Sequence, residues 1–147
     1  MGVVAAAVVR AVDDETSLRA CWPVLAQLRP HLDETGFLAA VARQRGEGYR
    51  VAAAFEGGRC RAVAGYRIQH MLAHGRQLYV DDLVSDETVR GGGFGTALFE
   101  WLLQAARDAG CASLQLDSGS WRHAAHAFYF ARGMHVMGFH FTLELPA

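Results

Sequence analysis

The stretch Arg90-Gly91-Gly92-Gly93-Phe94-Gly95-Thr96 decides the reading of this chain. It follows an apolar run, Gln77–Ser85, and opens a segment in which Leu98, Trp101, Leu102, Ala105 and Ala106 recur at helical spacing up to Ala109. Such periodicity predicts an amphipathic helix that buries one stripe. A helix N-terminus leaves about four backbone N–H groups unpaired, and the aligned peptide dipoles add partial positive charge there. Glycines let that backbone wrap closely around an oxyanion, so the loop is suited to phosphate. Thr96 can add a hydroxyl and Arg90 a charge. A Walker loop would need Gly-Lys-Ser/Thr at its end, which is absent. A dinucleotide fingerprint would sit on the first strand with an acidic residue about 20 positions on, whereas Gly93-x-Gly95 lies past the middle of the chain.

Around this loop the chain reads as alternating elements without linker, repeat or low-complexity segment. Val3–Ala11 is expected as a first strand. Asp13 or Asp14 caps a helix lined by Leu18, Trp22, Leu25 and Leu28 that ends at Pro30. Asp33, Glu34 and Thr35 open a second helix through Phe37, Leu38 and Val41, which stops at Gly46 and Gly48. Tyr49–Phe55 and Arg61–His70 form a hairpin about Glu56-Gly57-Gly58. After the glycine helix come a short strand, Ala112–Leu116, a helix, His123–Arg132, and one or two closing strands in Met134–Leu145. This order predicts a mixed α/β (α+β) single domain over residues 1–147.

Composition narrows the classes further. The 147 residues are 52% hydrophobic and 20% charged with a net charge of −1, which suits a globular domain and gives no broad basic surface for nucleic acid. Cys21, Cys60 and Cys111 are odd in number and widely spaced, which predicts reduced thiols and a cytoplasmic protein. The apolar start lacks a basic n-region, and no run approaches the roughly 18 apolar residues of a membrane span. Of the seven histidines, His123 and His126 sit at helical spacing but without a carboxylate or cysteine at ligand spacing, so no metal is expected. His31, His70 and His74 fall in connecting loops suited to lining a pocket.

A second motif lies downstream: Arg122-His123-Ala124-Ala125-His126-Ala127-Phe128-Tyr129-Phe130-Ala131-Arg132-Gly133-Met134. Together, Arg90-x-x-Gly93-x-Gly95 and Ala125/Tyr129/Gly133 resemble the two signatures of the GNAT superfamily of N-acetyltransferases. Arg122 stands where that family usually has Asn, and Met134 where it has Phe. The segment from Arg122 to Leu145 is similar to small-molecule amine acetyltransferases of the aminoalkylphosphonate and aminoglycoside types. The resemblance implies the acyl-CoA N-acyltransferase fold, a mostly antiparallel splayed sheet flanked by helices, with acetyl-CoA as cosubstrate. It implies cofactor contacts from the backbone of Leu83, Val84 and Ser85, from Arg90, Gly91, Gly92, Gly93, Phe94, Gly95 and Thr96, and from Arg122 and Phe128.

On that likeness the reaction is direct transfer of acetyl to a primary amine of a small molecule. An alkyl amine is mostly protonated at neutral pH, so a base is needed. Asp81 and Asp82 are the candidates, Asp82 preferred, and strand alternation is expected to turn them to opposite faces. Their structural alternative is pairing with Arg67 or Arg76, since carboxylates on an apolar strand require partners. Tyr129 is the expected donor to the departing thiolate, against the plain alternative of an aromatic packed beside Phe128 and Phe130. A protein or peptide acetyltransferase and a catalytically silent acyl-CoA-binding module are the other readings. The closing strand offers an edge for a homodimer.

Overall fold

The computed structural model describes residues 7–147. The first strand, β1, is Ala7–Val12, and the expected start at Val3 lies outside the described residues. Helix α1, Glu15–Leu28, begins where the Asp14 carboxylate accepts the Ser17 amide at 2.8 Å. Helix α2, Glu34–Arg45, begins likewise where Asp33 accepts the Gly36 amide. Both caps satisfy first-turn donors that would otherwise need water. Strands β2 (Arg50–Glu56), β3 (Arg59–Met71) and β4 (Gly75–Ser85) follow as two successive hairpins. Helix α3 is Phe94–Asp108, strand β5 is Ser113–Leu116 and helix α4 is His123–Ala131.

The sheet order is β1-β2-β3-β4-β5, and the first three pairings are antiparallel. Alternation along β2 sends Val51, Ala53 and Phe55 into a core with Leu18, Cys21, Val24 and Leu25 of α1 and Phe37 and Val41 of α2. Ala52 and Ala54 are fully buried on the opposite face. That face meets α3, whose Leu98, Phe99 and Leu102 are buried and whose Trp101 stacks edge-on against Tyr66 of β3. The sheet is thus covered by helices on both faces, with the mixed α/β architecture expected of the sequence.

The ladder to β5 starts where the Ala112 amide donates to the Arg76 carbonyl at 2.8 Å. Four residues of β5 then run beside an eleven-residue β4. At about 3.3 Å per residue they cannot reach Leu83–Ser85, so that edge of β4 has no strand beside it in the sheet.

The described residues divide into two compact units, one ending at Gln115 and the other running from Leu116 to Ala147. In the second, α4 ends at Gly133 with φ of +85°, a left-handed stop. The strands expected over Met134–Leu145 are absent: no strand is assigned to residues 134–147. The alternation that suggested them is real, since Met137, Phe139, Phe141, Leu143 and Leu145 occupy every second position, but all five are exposed. A strand exists only through its ladder bonds, and no pairing is recorded for this segment.

One link to the glycine loop was not visible in the sequence. Asp86 is buried, caps the short 3-10 turn Glu87–Val89 through the Thr88 amide, and pairs with Arg61 of β3 at 3.4 Å. Gln27 of α1 donates to Asp86 and accepts the Glu87 amide. The Thr88 amide, with Gln27 and Arg61 behind it, holds the Asp86 carboxyl below the ordinary carboxylate range. Its stabilisation is therefore complete above an unfolded value near 4 and is lost as pH falls through the lower folded value. Asp86→Ala should cost about 1–2 kcal/mol in urea unfolding at pH 7. The gap between wild type and variant should narrow below about pH 4; a gap independent of pH would refute the role given to the carboxylate.

Candidate active site

The acceptor side of the site begins with an irregularity in one strand pairing. Gly65 of β3 lies opposite Asp82, but the next residue, Tyr66, lies opposite Val80. Asp81 is thus an extra residue in β4, a bulge that resets the alternation. Tyr79 before it and Val84 after it face the same side, and both Asp81 and Asp82 line one cavity with Tyr79. The expectation that the two carboxylates point to opposite faces is corrected here: strict alternation fails where a bulge inserts one residue.

The cavity measures about 450 Å³ and lies under α1 and α2, with Leu25, Leu32, Phe37 and Val41 as its apolar wall. Each carboxylate in it is partnered. Arg67 of β3 holds Asp81 in a fork, at 3.1 Å from Nε and 2.7 Å from Nη2, and Nη2 also reaches Gln44. Arg29, the C-terminal cap of α1, donates from Nε to Asp82 at 2.8 Å and from Nη2 to the Asp81 carbonyl at 3.1 Å. Tyr49 donates its hydroxyl to the second Asp82 oxygen at 2.7 Å. Burial pushes the Asp81 carboxyl above its ordinary value; Arg67 opposes this and the Asp82 charge adds to it. Burial, reinforced by Asp82, raises the Tyr49 phenol far enough to keep it neutral and a donor.

Of the expected partners, Arg67 pairs with Asp81, whereas Arg76 donates to the Ala109 carbonyl and approaches His70. His31 lines the cavity, and His70 and His74 do not. Arg29 and Tyr49 were missed in the sequence, because their contacts to Asp82 span 53 and 33 residues. The available signal was Gly65 inside a buried strand, which marks a bulge or a close approach. A Cβ at Gly65 would overlap the Tyr49 hydroxyl and ring.

The glycine loop follows the C-terminal end of β4. Gly91 and Gly93 adopt φ of +88° and +89°, a region that side chains strongly disfavour. Gly93 is the N-cap of α3 and no side chain caps that helix; the first recorded intrahelical bond runs from Ala97 N–H to the Gly93 carbonyl. Gly95 packs so closely that an added Cβ would sit 2.7 Å from Ser85 Oγ. The Phe94 ring is buried, so only its backbone is available to a ligand, while Arg90 is exposed. An uncapped fifteen-residue helix opening on left-handed glycines fits a diphosphate.

In the second unit, Arg122 is the N-cap residue of α4, Phe128 stacks edge-on with Tyr129, and Arg132 lies 3.9 Å over the Phe128 ring. Tyr129 is buried, and burial raises its phenol above the ordinary value, so the hydroxyl stays protonated. Among the described residues no group of three or more His, Cys, Asp or Glu side chains could hold a metal ion, and no helix is long and apolar enough to cross a membrane.

A sheet covered on both faces, with a glycine-capped helix after its fourth strand, is the architecture of the GNAT acetyltransferases. The Acetyltransferase (GNAT) family profile matches residues 14–134, and the chain belongs to that family. It is 33% identical over 109 residues to the uncharacterised N-acetyltransferase YhdJ of Bacillus subtilis, covering 74% of this chain and 77% of that one. Among solved structures, an acetyltransferase of Trypanosoma brucei superposes with a TM-score of 0.77 at 25% identity, covering 95% of this chain and 99% of that one. The aminoglycoside N-acetyltransferase AAC(6')-Iy in complex with CoA superposes with a TM-score of 0.83 at 15% identity, covering 96% of this chain and 95% of that one. The protein is accordingly an acetyl-CoA-dependent N-acetyltransferase, as its two motifs led one to expect.

The approach of Tyr49 to Asp82 depends on the missing Cβ of Gly65. Gly65→Ala should destabilise the fold by about 1–3 kcal/mol in urea unfolding, as overpacked cores do. Tyr49→Phe, which removes only the hydroxyl, should cost about 1 kcal/mol. A Gly65→Ala protein as stable as wild type would contradict the packing described.

Proposed function

We propose that the protein acetylates the primary amine of a small molecule held in the cavity beneath α1 and α2. The observation that carries this reading is the bulge at Asp81, which sets two carboxylates in a cavity of small-molecule size on the strand that leads to the glycine loop.

In this proposal acetyl-CoA lies with its diphosphate on the backbone of Gly91–Thr96 and Arg90. Its pantetheine lies along Leu83, Val84 and Ser85, the edge of β4 that β5 leaves open, and Arg122 and Phe128 add contacts. Asp82 receives the proton of the incoming ammonium, directly or through water, and Asp81 supports it electrostatically. The freed nitrogen lone pair forms the C–N bond at the acetyl carbon and the C–S bond breaks. Sulfur takes that electron pair and the Tyr129 hydroxyl proton; the surplus proton on nitrogen restores the phenol through solvent, and Asp82 releases its proton to solvent. Buried free thiols at Cys21 and Cys60 support a cytoplasmic setting. The exposed apolar alternation of 134–145 supports pairing with a second copy in a homodimer. A particle of monomer mass in light scattering at tens of micromolar would refute the dimer.

Acetyl-CoA should bind with micromolar affinity in calorimetric titration, and a folded Gly93→Asp, Gly95→Asp variant should lose that heat. Tyr129→Phe should keep the affinity and lower kcat on the order of 100-fold. Absence of binding to the folded wild type would remove the proposed cofactor site, and an unchanged kcat would remove Tyr129 from the reaction.

A further inference from the structure

The cavity already contains as many fixed positive charges as negative ones. Asp81 faces Arg67 and Asp82 faces Arg29, so the two acids bring no net negative potential to an incoming cation. A site for a polycationic amine would be expected to leave carboxylates uncompensated, because each extra ammonium taken from water needs an anion of its own. Here a second ammonium would find none.

Arg29 also differs from Arg67 in its commitments. Arg67 commits Nε and Nη2 to both oxygens of Asp81, with Nη2 also on Gln44, and its side chain is only 19% exposed and does not line the cavity. Arg29 places one N–H on a single Asp82 oxygen and one on the Asp81 carbonyl, and among the described residues its Nη1, like that of Arg67, makes no hydrogen bond. A guanidinium has five N–H donors in a planar fork, so donors remain that match the two oxygens of a carboxylate or similar anion. Arg29 lines the cavity with 40% of its side chain exposed, and the imidazole of His31 lines it as well. Its backbone is held as the α1 cap, with its N–H on the Leu25 carbonyl and Pro30 next in sequence.

We infer that the acceptor is a compact amine whose far end carries an anionic oxygen group, recognised by Arg29, while its ammonium faces Asp82. Binding is then an exchange of ion pairs. The ammonium joins Asp82, the anionic group joins the open side of Arg29, and no unpaired charge is buried. Arg29 is thereby the residue that sets acceptor specificity.

This inference rests on the proposed acetylation, and its test separates the two. Initial rates of CoA release are measured with saturating acetyl-CoA and three acceptor series of two to six carbons: ω-amino carboxylates, plain n-alkylamines and α,ω-diamines. Within the best chain length, the amino carboxylate should exceed the diamine in kcat/KM by at least tenfold to a hundredfold, with the alkylamine between them. Arg29→Gln should erase that ranking: whatever it costs all three series through Asp82, the amino carboxylate should lose at least tenfold more in kcat/KM than the alkylamine. A purely structural role for Arg29 would lower all three alike and overturns the inference. So does a wild type that prefers diamines or alkylamines, or that acetylates no amino carboxylate while turning over another amine. A protein that binds acetyl-CoA and turns over none of the three series overturns both the inference and the small-amine reading. A folded protein that does not bind acetyl-CoA fails earlier, at the proposed cofactor site.

Discussion

The carboxylate-lined cavity depends on one residue too many in β4. Because Asp81 has no counterpart on β3, the strand turns two consecutive carboxylates to the same side, where alternation would have buried one of them against α3. Adjacent like charges in a half-buried cavity repel each other and resist desolvation. The fold answers with partners brought from elsewhere: Arg67 one strand away, Arg29 from the end of α1, and Tyr49 from the loop before β2. Gly65 completes the arrangement, since the space a side chain would occupy opposite Asp82 is taken by Tyr49. Removing any one partner leaves a carboxylate with an unmet requirement, so the set behaves as a network and not as independent contacts.

The parts of the chain legible in the sequence are those whose cause is local. Asp14 and Asp33 cap α1 and α2 because an Asx side chain reaches an amide three residues on, a relation visible in a short window. The stripe of α3 and the Glu56-Gly57-Gly58 turn between β2 and β3 are local in the same sense. The glycine loop is legible for a related reason: its chemistry resides in backbone amides and left-handed φ angles, so glycine spacing alone reports it.

The bulge and its partners are not local. A register shift belongs to two strands at once, and a slip of one residue inverts every side chain beyond it. Reading β4 by itself therefore assigned Asp81 and Asp82 to opposite faces, and nothing near Asp82 in sequence pointed to Arg29 or Tyr49. Asp86, whose partners Gln27 and Arg61 lie on α1 and β3, escaped notice for the same reason. Residues 134–145 show the converse case. Their alternating pattern is correct for a strand, but pattern is only half of what a strand needs, and ladder partners are the other half.

This division has a consequence for the chemistry of the family member at hand. The proposed cofactor site, built from backbone, would be tolerant of side-chain change around it, whereas the proposed acceptor site, built from ion pairs, would change meaning with each arginine. For the proposed action on an ammonium, Asp82 would have to give up part of its bond to Arg29, and a carboxylate released into a half-buried cavity without a replacement cation would be penalised by several kcal/mol. The incoming ammonium supplies that replacement at the same oxygen, so opening the Arg29–Asp82 pair and loading the acceptor become one step. Arg29, now less engaged, retains its charge and must find an anion or solvent. The acceptor's own second functional group, more than the amine common to all substrates of this reaction, then decides whether the exchange closes without an unpaired charge.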